Sequence, residues 1–278
     1  MIAGVLGSVA LAWLIPGGIL WLAQERLLFP RPTGVDGAWL DMVGKGLGAD
    51  PVRVVAGDGT ALYGWFRRGG GRGAALYLHG NGETLAHRVE LHGWLASRGL
   101  DVLVVAYRGY PGSDKVTPSE RGLVLDARAA WDWLIEAGYP ADRILVYGKS
   151  LGGGVAAALA EQVGPGALVL ESTFLSIGEA ASDLFPIYPT RLLVRHKFDT
   201  RSRAAALSGP ALVLHGDADR LINVRHGRAL GRLLPAASYV EIAGAAHDES
   251  FAAQYPAAAA AVDALLDGAF GPRDADRA

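Results

Sequence analysis

The sequence predicts an α/β architecture, a mostly parallel sheet flanked by helices. From residue 74 onward, short and continuously apolar runs alternate with longer amphipathic ones. Strands that are apolar at every position are buried on both faces, as a parallel sheet covered by helices requires. Strict alternation of strand and helix implies βαβ units with right-handed crossovers. With 278 residues, 51% of them hydrophobic, the chain can bury one large core, and folds of this kind run past ~200 residues as a single unit.

The elements follow in order. Residues 2–23 carry no charge and include Trp13 and Trp21; as a helix they would cross roughly 30 Å of hydrocarbon. Trp21 followed by Gln24, Glu25 and Arg26 resembles an interfacial end. Residues 1–28 are therefore expected to be an N-terminal membrane anchor. A cleaved signal is the alternative, disfavoured because no Lys or Arg precedes the apolar run and Trp21 would occupy the −3 position of a cut after Ala23. The expected location is a membrane, the inner one if the source is bacterial, or a secreted or periplasmic one after cleavage. The Arg-for-Lys bias, with Lys only at 45, 115, 149 and 197, is what GC-rich bacterial coding produces. Residues 29–50, opening with Phe29-Pro-Arg-Pro32, are expected to form an extended linker.

Residues 51–268 form the expected α/β domain. Two β-rich runs, 51–55 and 61–67, flank Gly57-Asp-Gly59 and predict a hairpin. Strand-like runs follow at 74–79, 101–107, 144–147, 167–171, 211–215 and 238–242, with helical ones at 84–98, 119–137, 151–163, 224–234 and 251–266. The alternation breaks once, at 174–206, where Pro186, Pro189, Arg191, Arg195 and Lys197 mark an insertion long enough to be a lid. Arg195 and Lys197 would either meet anionic head groups or simply be solvated. Residues 269–278 are polar and predict a flexible tail.

Composition removes several classes of function. Net charge is −2 with no Lys/Arg-rich run, which argues against nucleic acid as a partner. The absence of cysteine removes disulfides, thiolate nucleophiles and Cys-ligated zinc. Composition leaves open nucleophilic catalysis by a hydroxyl, and acyl transfer of that kind is expected to need no metal or organic cofactor.

That chemistry centres on Gly148-Lys149-Ser150-Leu151-Gly152, a G-x-S-x-G pentapeptide between a predicted strand and a predicted helix. A serine on so sharp a turn stands clear of the sheet, and the glycines leave room for the neighbouring chain. Serine is a weak nucleophile without a base. Of the seven histidines, His87 and His92 fall on a helix, His79 and His215 end strands, and His196 and His226 have no favoured placement. His247 lies in the loop between the last predicted strand and the last helix, and is the expected base. The orienting carboxylate should precede it in the chain, and Asp217 and Asp219 both leave the strand before. An oxyanion hole would take the N–H of Leu151, the residue after the nucleophile, and a second from His79-Gly-Asn-Gly82. Asn81 is the expected donor, with Gly82 in reserve.

His79-Gly-Asn81, Tyr107-Arg-Gly-Tyr-Pro-Gly112, Gly148-Lys-Ser-Leu-Gly-Gly153, Leu170-Glu-Ser-Thr-Phe174, His215-Gly-Asp-Ala-Asp219 and Gly244-Ala-Ala-His247 occur in one order. Together they resemble the Bem46-like branch of the α/β-hydrolase superfamily over residues 50–268, with an N-terminal apolar segment such proteins often carry. The resemblance implies an α/β-hydrolase fold with Ser150 as nucleophile, His247 as base and Asp219, rather than Asp217, as acid. It departs at Thr173, where proline is frequent, at Asn223, where proline is usual, and at Asp248, where asparagine often follows the histidine. The implied function is a serine hydrolase that cleaves carboxylic esters or thioesters of lipid-like acyl substrates through an acyl-enzyme. A serine peptidase of the same fold is the first alternative, and a non-catalytic membrane scaffold the second. A serine at the elbow argues against haloalkane and epoxide hydrolysis, which place a carboxylate there.

Overall fold

The computed structural model describes residues 2–272, with side chains described from residue 13 onward. Helix α1 spans Ile2–Leu28 and α2 spans Gly37–Gly46. Strands β1 (Asp50–Val55) and β2 (Ala61–Arg67) form an antiparallel hairpin in which Val55 faces Ala61. The alternating core follows: β3 (Gly73–Leu78), α3 (Val89–Ser97), β4 (Leu100–Val105), α4 (Glu120–Glu136), β5 (Ile144–Lys149), α5 (Leu151–Val163) and β6 (Ala167–Glu171). The insertion holds α6 (Ile177–Leu184), α7 (Thr190–Leu193) and α8 (Thr200–Arg203). Then come β7 (Ala211–Gly216), α9 (Arg225–Leu233), β8 (Ala237–Ile242), α10 (Phe251–Gln254) and α11 (Pro256–Phe270).

One sheet of eight strands results, in the order β1-β2-β4-β3-β5-β6-β7-β8. From β4 to β8 every pairing is parallel, and only the hairpin enters antiparallel. The residues of β3, β4, β5, β6 and β7 are buried throughout, which is why their sequences run apolar rather than alternating. The hairpin is tied to the rest by Arg108, whose guanidinium meets buried Asp126 of α4 at 2.7 Å and Asp58 of the hairpin turn at 2.6 Å. Parallel strands all deliver their carboxyl ends to one edge, and that edge carries the site.

Four expectations are corrected by the structure. Residues 29–50 are not wholly extended: Asp36 caps α2 by accepting the Trp39 N–H at 2.8 Å, and Leu40 is buried. Gly44 lets α2 approach Trp65, whose Nε1 would lie 2.8 Å from a Cβ at that position. The last helix is broken in two, because Pro256 has no N–H to continue it and instead opens α11 at its first turn. That helix reaches Phe270, into the expected tail, and residues 273–278 of the tail lie outside the described residues. Finally, among the described residues no helix is long and apolar enough to cross a membrane. The expected anchor, residues 1–28, is a helix from Ile2, running on through Pro16. Its described half packs on the insertion: Trp13 stacks on Tyr188 at 5.3 Å, and Arg195 pairs with Glu25 at 3.2 Å while lying 4.0 Å over the Trp21 ring. Arg195 is thus committed to α1 rather than turned to an external head group.

Candidate active site

Strand β5 ends where Ser150 turns the chain into α5. Its φ of 52° and ψ of −118° lie in a region that side chains rarely adopt. Close packing around the turn holds it there. A Cβ at Gly148 would stand 2.4 Å from the Gly152 carbonyl oxygen, and one at Gly152 would stand 2.0 Å from that of Leu78. The Ser150 N–H donates to the Glu171 carbonyl at 2.9 Å, and Thr173 Oγ1 donates to the Ser150 carbonyl at 2.8 Å. Thr173, one of the departures from the resembled pattern, therefore braces the turn with its hydroxyl.

The loop after β8 brings His247 Nε2 to 3.0 Å from Ser150 Oγ, and the loop after β7 brings Asp219 Oδ2 to 2.7 Å from His247 Nδ1. These pairs are separated by 97 and 28 positions in the chain. They meet at the carboxyl edge because β5, β7 and β8 lie with β6 in one parallel array. Asp217 is elsewhere, accepting the Gly244 N–H at 2.6 Å. Asp219 also accepts the N–H groups of Leu221 and Ile222 and lies 3.4 Å from His215 Nε2. Burial pushes its carboxyl up, but the bonds with His215, His247 and Ile222 outweigh that and hold it well below the usual carboxylate range.

The two expected oxyanion donors belong to the elements on either side of the Ser150 turn, the start of α5 and the loop after β3. Leu151 opens α5, so its N–H is one of the orphans of a helix start, where the helix dipole also favours negative charge. In the loop after β3, Gly80 N–H is taken by Glu83 Oε2 at 3.1 Å and Gly82 N–H by Tyr110 OH at 3.4 Å. The Asn81 N–H between them has no such partner, and Asn81 and Leu151 both line the cavity that holds Ser150.

Several residues of the site were not singled out from the sequence. Lys149 and Glu171, an aligned pair on β5 and β6, form a fully buried ion pair at 2.7 Å. Lys149 Nζ also donates to the carbonyl of Glu249 at 2.9 Å, in the loop that carries His247. Glu83 and Arg88 pair beneath the Asn81 loop, and Arg88 donates to the Asp248 carbonyl. Arg88 offsets the burial of Glu83 and keeps its carboxyl below the usual range. Glu83 directly follows His79-Gly-Asn-Gly82, and Glu171 sits inside Leu170-Glu-Ser-Thr-Phe174, so their positions beside motifs were the available signal. Of the other histidines, His87 Nδ1 accepts the Thr84 N–H, His92 is buried in the core, and His226 Nε2 meets Asp183 at 3.0 Å.

Two cavities meet at Ser150. One, of about 240 Å³, runs between α1 and the insertion and is lined by Leu20, Trp21, Phe174, Ile177, Leu184 and Leu193 among others, with no Asp, Glu, Lys or Arg. The other, of about 330 Å³, has the more polar walls, with Asn81, Glu83, His87, Arg88, His247 and Asp248 among them. No group of His, Asp or Glu among the described residues has the arrangement of a metal site.

The strand order with an antiparallel hairpin at one edge, and a sharp turn presenting a serine beyond β5, define the α/β-hydrolase class. The Hydrolase_4 family profile (serine aminopeptidase, S33) matches residues 70–198. The uncharacterized protein Rv2307c of Mycobacterium tuberculosis is 36% identical over 253 residues, covering 87% of both chains. Lysophosphatidylserine lipase ABHD12 of Mus musculus is 35% identical over 179 residues, covering 56% of this chain and 44% of that protein. Among solved structures, the esterase Pf2001 of Pyrococcus furiosus superposes with a TM-score of 0.70 at 20% identity, over 87% of this chain and 98% of that one. This chain belongs to the Bem46-like branch of the α/β-hydrolases.

Proposed function

We propose that the protein is a serine hydrolase that cleaves a carboxylic ester or thioester bearing one lipid-like acyl chain and a polar leaving group. The observation that carries this reading is the pair of cavities that join at Ser150 Oγ, with His247 lining the polar one and not the apolar one. The acyl chain would lie in the apolar cavity. The alcohol or thiol would lie in the polar one, on the side where the imidazole can return a proton to it.

In the proposed mechanism Asp219 accepts a hydrogen bond from the His247 Nδ1–H, which keeps the proton on that nitrogen and turns the bare Nε2 lone pair toward Ser150. Nε2 takes the hydroxyl proton as Oγ bonds to the carbonyl carbon, and the carbonyl electron pair moves onto oxygen. The N–H groups of Leu151 and Asn81 hold that oxyanion, each worth roughly 3–4 kcal/mol in the transition state. Collapse breaks the bond to the leaving group, which departs with the proton from His247. Water, losing a proton to the same nitrogen, then attacks the acyl carbon; the acyl C–Oγ bond breaks, His247 returns that proton to Oγ, and the carboxylic acid leaves. The ABHD12 relative, a lysophosphatidylserine lipase, and the superposed Pf2001, an esterase, agree with a substrate of this shape. A peptide is the poorer fit, because the apolar cavity on the acyl side offers no carboxylate to a peptide's amino end. Exposed apolar side chains of α1 and the insertion, among them Leu14, Ile187 and Leu192, would rest on the lipid aggregate that supplies the substrate.

A fluorophosphonate probe and an aryl-ester assay test the assignment together. The wild type should label and hydrolyse, and Ser150→Ala should lose the label and on the order of 10⁵–10⁶ in kcat. Labelling or turnover that persists in the variant would remove Ser150 from the mechanism.

A further inference from the structure

The described half of α1 presents one face to the molecule at helical spacing. Gly17, Leu20, Trp21, Gln24 and Leu28 all line the cavity that holds Ser150, as a single stripe of a 3.6-residue repeat does. The opposite wall comes from the insertion. Between the walls the contacts are specific: Trp13 Nε1 donates to the Ile187 carbonyl and Tyr188 OH to the Trp13 carbonyl, both at 3.2 Å. Gln24 Oε1 accepts the Arg195 N–H at 2.8 Å, and a Cβ at Gly17 would come within 2.8 Å of the Tyr188 ring. The helix therefore closes the cavity rather than merely lying near it.

We infer that α1 is one wall of the acyl-binding site, so that a single unbranched acyl chain lies between α1 and the insertion with its carbonyl end at Ser150. The apolar lining, free of charged side chains, selects hydrocarbon over any polar chain, since each polar group buried there without a partner is penalised. Leu20 lies on the cavity face, and Leu22, 71% exposed, lies off it. On this arrangement, residues far from the catalytic motifs set which chain lengths are accepted. The inference rests on the reading of Ser150 as nucleophile for its chemical consequence, while binding of the chain does not require it.

The test uses the full chain and dodecanoate, titrated by calorimetry into the wild type, Leu20→Trp and Leu22→Trp. Filling the cavity with Leu20→Trp should weaken dodecanoate binding by about tenfold or more, with Leu22→Trp unchanged. In an ester series from acetate to palmitate, Leu20→Trp should lower the dodecanoate-to-butyrate ratio of kcat/KM by a similar factor. Leu20→Ala, which removes volume instead of adding it, should move that ratio the other way. Equal dodecanoate affinity in wild type and Leu20→Trp, or equal weakening by both tryptophan variants, would overturn α1 as a wall. A wild type that binds dodecanoate but hydrolyses no ester would sink the serine-hydrolase reading and leave the acyl site standing.

Discussion

His92 stacks edge-on against Tyr77 with ring centroids 5.3 Å apart, buried, its Nε2 without a hydrogen-bond partner among the described residues. Burial disfavours the charged ring and pushes its pKa down from 6.5 to about 4. The unfolded chain then binds a proton that the native state refuses between those two values, so stability must fall as pH is lowered from about 6.5 to about 4. His92 alone accounts for up to about 3 kcal/mol of that loss. Urea unfolding at neutral and acid pH measures it, and His92→Phe should flatten the profile by roughly 2 kcal/mol between pH 7 and 4.5. Identical profiles for wild type and variant would reject this account. His247 has the opposite surroundings, with a carboxylate at Nδ1 and a hydroxyl at Nε2. Two residues alike in sequence are thus separated by what their neighbours donate and accept.

Strand β5 does more than present the serine. Lys149 at its end is locked by Glu171 of β6, which also accepts the Tyr147 hydroxyl, and it reaches across to the Glu249 carbonyl in the loop that carries His247. Glu249 in turn accepts the Ala246 N–H and the Tyr255 hydroxyl. The elbow and the imidazole loop are therefore one hydrogen-bonded unit, with a charge at its centre that only its partner makes tolerable. Lys149→Met keeps the volume but strands Glu171 as an unpaired buried carboxylate, and should cost about 3–5 kcal/mol. Thermal unfolding reads that loss, and slower fluorophosphonate labelling would accompany a loosened His247. A midpoint equal to wild type would mean that the pair does not brace the loop. The pentapeptide spacing points to Ser150, yet says nothing of Lys149, because the first x of G-x-S-x-G is open to any residue type.

Across the molecule, the apolar cavity and the exposed apolar side chains belong to the same pair of elements, α1 and the insertion. Ile187 and Leu192 are 67% and 85% exposed, and several exposed apolar side chains on one pair of elements suit a surface that meets an apolar partner. If that partner is a lipid surface, the full chain should float with phosphatidylcholine vesicles in a density gradient. The double variant Ile187→Glu, Leu192→Glu should remain at the bottom while keeping its unfolding midpoint. Flotation unaffected by the two glutamates would place the lipid contact elsewhere.

Much of this architecture was legible in the residues. The apolar runs at 74–79, 144–147 and 211–215 correspond to β3, β5 and β7 within a residue or two at each end, and Gly57-Asp-Gly59 marks the hairpin turn. Helix α2 was not legible, because its glycines at 37, 44 and 46 read as linker until Gly44 is seen to admit the Trp65 ring. The break at Pro256 is masked by the alanines around it, which favour helix on both sides. Between Asp217 and Asp219, two residues apart on one loop, the sequence favoured Asp219 in part through the resemblance, and the distance to His247 separates them. By itself the sequence determined the strand and helix pattern and the turn that carries Ser150, since these follow from backbone periodicity and from glycine placed beside a strained residue. The tertiary structure alone decided which carboxylate faces the imidazole, that Lys149 ties two loops together, and that an N-terminal helix closes a cavity against residues 177–196. Those are meetings between segments far apart in the chain, created by crossovers and packing, and no short window of residues contains them.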